Sequence, residues 1–208
     1  MIVVAYADPG ILQGGPPTGA IPFGIRGDDT LDVEELLAWE LGFRQRGDRW
    51  GYSASLFYND YDRLIALPTG AIGRFSDAAS GKTWGGELWA SFRVLPNWRL
   101  EAAWSELRVE IDGPVSQFED DATPRRMAQL RSYLDLTGSV ELTAAAYFVD
   151  EIPGQAVEDY TRVDLGVRFH PGDWTFEAWG QYLLDGAHRE VSPIEIPLSW
   201  FVAVERRF

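Results

Sequence analysis

Apolar and polar residues alternate with period two in one segment of this chain after another, and that alternation constrains the fold more than any other feature. In "ELWASFRVL", Leu88, Ala90, Phe92 and Val94 fall on one face, against Glu87, Trp89, Ser91 and Arg93. "VELTAAAYF" sets Val140, Leu142, Ala144, Ala146 and Phe148 against Glu141, Thr143, Ala145 and Tyr147. "TRVDLGVRF" sets Thr161, Val163, Leu165, Val167 and Phe169 against Arg162, Asp164, Gly166 and Arg168. "WTFEAWGQY" sets Trp174, Phe176, Ala178, Gly180 and Tyr182 against Thr175, Glu177, Trp179 and Gln181. Successive strand side chains point to opposite faces, so each segment reads as a strand with one apolar face. The pattern predicts about nine strands, near 35–45, 49–60, 85–95, 98–109, 126–136, 139–150, 160–170, 174–184 and 197–208. The opening "MIVVAYA" is a tenth candidate. "LDVEELLAWELGF" carries helix-like spacing, but Leu37, Trp39, Leu41 and Phe43 alternate, so it reads as a loop followed by a strand.

The connections alternate too. "RGDR" (46–49), "PN" (96–97), "TG" (137–138) and "PGD" (171–173) are tight turns built from turn residues. Between them lie long links, near 8–34, 61–84, 110–125, 151–159 and 185–196, rich in Gly, Pro, Asp and Ser. In an antiparallel series this puts every tight turn at one end and every long loop at the other. That is the layout of an outer-membrane β-barrel, with short periplasmic turns and long extracellular loops. The fold class expected is all-β, an antiparallel transmembrane β-barrel segment of about nine or ten strands.

Lipid offers the backbone no hydrogen bonds, so a spanning sheet must pair its strands and turn an apolar face outward. Leu88, Phe92, Leu142, Phe148, Val163, Leu165 and Phe176 are the expected lipid-facing residues. Trp98, Phe169 and Trp174 flank the tight turns as an interfacial girdle does, while Tyr58, Trp104, Phe148 and Tyr182 lie toward the loop ends of the same rows. Arg93, Glu101, Arg131, Glu141, Arg162, Asp164, Arg168, Glu177, Glu205 and Arg207 fall on the inward row with alternating sign, ready to pair across strands.

Composition removes other classes. A net charge of −14 leaves no basic stripe for phosphates, so no nucleic-acid partner is expected. With no Cys, disulfides and thiolate metal sites are excluded. No apolar run reaches the roughly 18 residues of a spanning helix. "MIVVAYADPG" lacks the basic start, apolar core and cleavage site of a signal peptide.

Taken in order, these segments resemble TonB-dependent outer-membrane receptors. "RRMAQLRSYLDLTGSVELTAAAYFVDEIPGQAVEDYTRVDLGVRFHPGDWTFEAWGQYLLDGAHREV" is similar to the closing strands of that family. The matching positions are Leu130, Arg131 and Ser132; Phe148, Val149 and Asp150; Tyr160, Asp164 and Leu165; and Gly180, Gln181, Leu183, Leu184 and Asp185, followed by His188 and Glu190. "WELGFRQRGDRWGYSASLFYNDYDRLI" (39–65) resembles an earlier family segment. Where the family usually carries Asn in "QNLLD", this chain has Tyr182. Phe208, with Val204 and Val202 on the same row, matches the C-terminal signal such proteins present to the barrel-assembly machinery. No plug domain, energy-coupling box or signal peptide is legible, and the family's transporters have about 22 strands around a plugged lumen. The resemblance therefore implies that residues 1–208 are a C-terminal portion of such a barrel. Its function would be part of an outer-membrane receptor for energy-coupled uptake of a scarce nutrient such as a ferric siderophore. Its implied partners are outer-membrane lipid, the barrel-assembly machinery and, only through a plug, an energy-coupling protein. A self-closed small barrel acting as a passive pore or adhesin is the alternative; in it, Val3 and Ala5 would pair with residues 200–208. A soluble β domain would instead need a second sheet over the apolar rows.

No chemistry competes with this reading. His188 lies near Asp185 and Glu190, but no nucleophile or orienting partner accompanies it, so a loop is expected there rather than an acid–base site. "FEDDA" (118–122) lacks the ligand spacing of a calcium loop. "RGD" at 46–48 is turn chemistry, and "GILQGGPPTGAIPFG" (10–24) has no phosphate-binding lysine. "TPRRMAQLR" offers Arg125, Arg126 and Arg131 either to lipopolysaccharide phosphates or to interior pairing. No catalytic residue, metal ligand or cofactor is expected, and the ligand-binding residues are not legible.

Overall fold

The computed structural model describes residues 12–14, 23–26, 30–66, 72–113, 121–184, 187–191 and 194–207. Its strands are β1 (Leu12–Gly14), β2 (Phe23–Arg26), β3 (Glu35–Arg46), β4 (Trp50–Ala66), β5 (Ile72–Arg74), β6 (Ser76–Leu95) and β7 (Trp98–Asp112). They continue as β8 (Arg126–Thr137), β9 (Val140–Val149), β10 (Tyr160–Phe169), β11 (Trp174–Gln181), β12 (Ala187–Val191), β13 (Ile194–Pro197) and β14 (Ser199–Arg206). Nine of them form one sheet in the order β14-β11-β10-β9-β8-β7-β6-β4-β3. This is a meander: each strand pairs with its predecessor and successor among the nine, and the registers of β7 through β14 are antiparallel. The nine predicted strands are these nine. Two small sheets, β1-β2-β5 and β12-β13, accompany them.

Tight turns follow β3, β6, β8 and β10, and the long connections follow β4, β7, β9 and β11. At the β6–β7 turn the Asn97 side chain donates to the Asp135 carbonyl (2.8 Å), tying the turn to β8. Two of the expected long loops are shorter than the sequence pattern suggested. β4 continues to Ala66 and β6 begins at Ser76, so most of the 61–84 link is strand. The ladder there is held by backbone pairing, which needs no apolar alternation; small residues such as Ala79 and Gly81 let the neighbouring strand approach. Within 185–196, β12 and β13 form a hairpin.

Two compact units divide the molecule: residues 1–40, 57–84 and 108–120, and residues 41–56, 85–107 and 121–208. In the first unit the Glu34 carboxylate accepts from the Ile65 N–H (2.7 Å) and Asp77 from the Asp32 N–H (2.9 Å). Arg63, in the left-handed region at φ 56°, pairs with Glu35 and donates to the Val33 carbonyl.

Among the described residues no large side chain is fully buried. The few buried apolar residues are Ala66, Ala79, Ala145, Ile152, Val157 and Tyr182. In place of a core the chain displays apolar surface: Leu41 is 71% exposed, Val202 74% and Leu165 50%. Covering a Leu or Val side chain contributes about 1.5–3 kcal/mol, so this sheet is stable only against an apolar medium or more protein. No second sheet covers it among the described residues. There, too, β14 pairs only with β11 and β3 only with β4, so the sheet is not closed. The proposed closing residues Val3 and Ala5, with the rest of "MIVVAYA", lie outside the described residues.

Candidate functional site on the polar face

Directly opposed residues in a ladder share a face. In the second unit the register joins Trp98, Leu134, Leu142, Val167, Ala178 and Val202 in one row across β7 to β14. The next row joins Leu100, Ser132, Ala144, Leu165, Gly180 and Trp200. Phe148, Val163, Phe176 and Val204 fall on the same face. At its tight-turn end Phe176 stacks with Phe169 and with Trp174, each pair at 6.2 Å between ring centroids. Arg206, the charge that interrupts the last apolar row, lies over the Trp174 ring at 5.2 Å, where a cation is favoured. Leu88 and Phe92 are half-exposed on β6. Phe208 lies outside the described residues.

The opposite face carries the charge. Glu101, Arg131, Ala145 and Asp164 form one row, and Ala103, Gln129, Tyr147 and Arg162 the next. Arg168 reaches both neighbouring strands, to Glu141 (3.4 Å) and Glu177 (3.3 Å). The Trp179 indole donates to Glu177 (2.5 Å), and His170 Nε2 lies 3.3 Å from Glu141. Trp179 stands directly opposite Gly166, and a Cβ at that glycine would meet its ring at 2.7 Å. The pairing repeats on the apolar face, where Trp200 covers Gly180. In both places an indole fills the space that glycine leaves, as an aromatic opposite a glycine does in sheets.

The densest constellation sits where β10 begins and β11 ends. Arg162 and Asp164 are two apart on β10 and therefore share a face. The Arg162 Nε lies 2.9 Å from both Asp164 oxygens and its Nη2 lies 2.7 Å from Oδ2. Asp164 is 3% exposed and also accepts from the Tyr182 backbone N–H (3.2 Å). Burying a carboxylate is costly unless a cation and hydrogen bonds compensate, and here both do. Arg162 Nη1 donates to the Tyr182 hydroxyl (3.0 Å), and that hydroxyl donates to Glu190 Oε1 in β12 (3.2 Å). The guanidinium lies between two rings, 4.3 Å from Tyr182 and 5.4 Å from Tyr147. With Arg131 over Tyr147 and Arg99 over Tyr133, arginines and tyrosines interleave along this face. Burial pushes the Tyr182 hydroxyl above its ordinary pKa, with Arg162 opposing, so the phenol keeps the proton it gives to Glu190.

Tyr182 corrects one expectation. Period-two counting continued β11 to residue 184 and placed Tyr182 on the apolar row. The strand ends at Gln181 and Tyr182 has φ 60°. A left-handed residue breaks the alternation and turns the ring onto the polar face. That conformation costs a non-glycine residue roughly 1–2 kcal/mol, and Asn tolerates it better than Tyr. The departure from the family's usual Asn was therefore the sequence signal for this site. Of Asp185, His188 and Glu190, Glu190 joins the cluster; Asp185 lies outside the described residues, and His188 is described only through its β12 backbone. In "FEDDA", Phe118, Glu119 and Asp120 lie outside the described residues, while Asp121 pairs with Arg125 at 3.1 Å. No group of three or more His, Asp or Glu is placed to hold a metal among the described residues.

A meandering antiparallel sheet with one apolar and one charged face is the wall of a barrel. Over residues 5–183 the sequence matches the family described as TonB dependent receptor-like, beta-barrel, and the chain belongs to it. The fold is similar to that of the FrpB iron transporter from Neisseria meningitidis, with a TM-score of 0.74 at 14% identity over 88% of this chain and 32% of that one. It is similar also to the siderophore receptor PirA from Pseudomonas aeruginosa (TM-score 0.67, 14% identity, 99% of this chain and 37% of that one). The ferric-catecholate import receptor Fiu from E. coli K12 gives a TM-score of 0.62 at 14% identity, over 82% of this chain and 27% of that one. The chain thus spans between 27% and 37% of the length of these relatives. No curated protein matches the sequence.

Proposed function

We propose that this chain forms part of the barrel of an outer-membrane receptor for energy-coupled uptake of a scarce nutrient, such as a ferric siderophore. The observation that carries this reading is the unbroken apolar row from Trp98 to Val202, backed by the charged face of Arg131, Asp164 and Arg168. The apolar face, with Leu88, Phe92, Leu142, Phe148, Val163, Leu165 and Phe176, meets lipid. The polar face lines the interior. The family and its solved neighbours, described as iron, siderophore and ferric-catecholate proteins, support the nutrient class. The protein resides in the outer membrane and works by binding and passage, without catalysis. The barrel-assembly machinery reads Phe208, Val204 and Val202 at the end of the last strand, and energy coupling reaches this wall through a plug.

Deletion of the gene in iron-limited cells tests this reading. Uptake of a radiolabelled ferric siderophore from a catecholate and hydroxamate panel should be lost, return with the gene, and stop when the proton-motive force is collapsed. Unchanged uptake of the whole panel, or recovery of the protein as a stable monomer in water without detergent, would contradict it.

A further inference from the structure

We infer that Tyr182 is a strained positioning residue that latches the β12–β13 hairpin to the polar face through Glu190. The inference stands on contacts within the second unit and does not depend on what, if anything, the receptor imports. Tyr182 is the first residue after β11, at φ 60°, and is buried. Strain of this kind persists only where surrounding contacts over-determine it, and it clusters at switch regions. Contacts hold it here at both ends: its N–H to Asp164, its ring and hydroxyl to the Arg162 guanidinium, and its hydroxyl to Glu190. The contacts with Asp164 and Arg162 fasten Tyr182 to β10. The contact with Glu190 is different, because Glu190 belongs to the hairpin that follows.

Tyr160, on the same face of β10, also interacts with Glu190, so the carboxylate sits between two phenols. Arg162 is already engaged by Asp164, and Glu190 is the outer member of the chain Asp164–Arg162–Tyr182–Glu190. The hairpin's own ion pair, Arg189 with Glu195 (3.5 Å), links its two strands to each other. Among the described side chains of β12 and β13, Glu190 reaches the polar face. Loss of that contact releases the β12–β13 hairpin from the polar face, while Asp164 and Arg162 still hold Tyr182 to β10.

The test is limited trypsin digestion of the protein as the cell makes it, purified in detergent, reading cleavage after Arg189 by peptide mass. Arg189 is exposed, and β12 must detach to enter a protease. Tyr182→Phe keeps the ring and removes the hydroxyl, with its bonds to Arg162 and Glu190; Glu190→Ala removes the acceptor of the second. Each should raise the cleavage rate at least about fivefold, the population change for losing one hydrogen bond. The double variant should gain less than the sum of the two single effects in free energy, because both break the Tyr182–Glu190 contact; independent destabilisation would add in full. Glu158→Gln, exposed and outside the cluster, should match the parent. Heat-modifiable gel migration verifies folding, and if Glu190→Ala does not fold, Tyr182→Phe alone decides. Rates for Tyr182→Phe within twofold of the parent, or effects that add in full in the double variant, overturn the latch.

Discussion

The two faces of the β7–β14 sheet obey different rules. On the apolar face, in the row Leu142, Val167, Ala178 and Val202, the residues are interchangeable in kind: they share it because each is apolar, and none is joined to another by a side-chain hydrogen bond. On the polar face identity matters, because Arg162, Asp164, Tyr182 and Glu190 are joined atom to atom. Burial against a medium is non-directional, whereas a buried charge must find particular partners. The first face can therefore drift in sequence while keeping its fold, and the second cannot.

Substitutions that break the contrast sort by size. Asp164→Ala should cost the most, about 3–5 kcal/mol, because it strands Arg162 between two rings without its counter-charge. Urea unfolding in lipid vesicles, followed by tryptophan fluorescence, measures it. Leu165→Arg should cost about 2–4 kcal/mol in the same assay if position 165 lies near the bilayer midplane, while Thr143→Arg on the other face should cost far less. Similar losses for the two would erase the distinction between the faces. Gly166→Ala should cost about 1–3 kcal/mol by driving a methyl into the Trp179 ring, and Trp179→Ala should relieve that clash in the double variant. Glu195→Gln is expected to change stability by less than about 1 kcal/mol, since its pair with Arg189 is exposed.

The same contrast explains what could be read from the residues. Strands such as Val140–Val149 and Tyr160–Phe169 were legible because one face must be apolar throughout, and that requirement writes itself as period two. The extensions of β4 and β6 were not, because Ala78, Ala79, Ser80 and Gly81 carry no alternation and are ordered by backbone pairing. The β12–β13 hairpin escaped for its shortness and polarity. The Arg162–Tyr182–Glu190 cluster escaped because it depends on a single backbone angle, at which strand counting places the ring on the wrong face. The sequence predicts a loop at 185–190, and Glu190 there bonds the Tyr182 hydroxyl.

The most direct measurement is a cysteine scan of β9. The chain has no Cys, so single cysteines from Glu141 to Phe148 each carry one spin label without background. In reconstituted vesicles, labels at positions 142, 144, 146 and 148 should be relaxed by oxygen dissolved in lipid. Those at 141, 143, 145 and 147 should be relaxed by a water-soluble reagent or by neither. Uniform accessibility along the strand, or the opposite phase, would contradict a barrel wall with lipid on its apolar face.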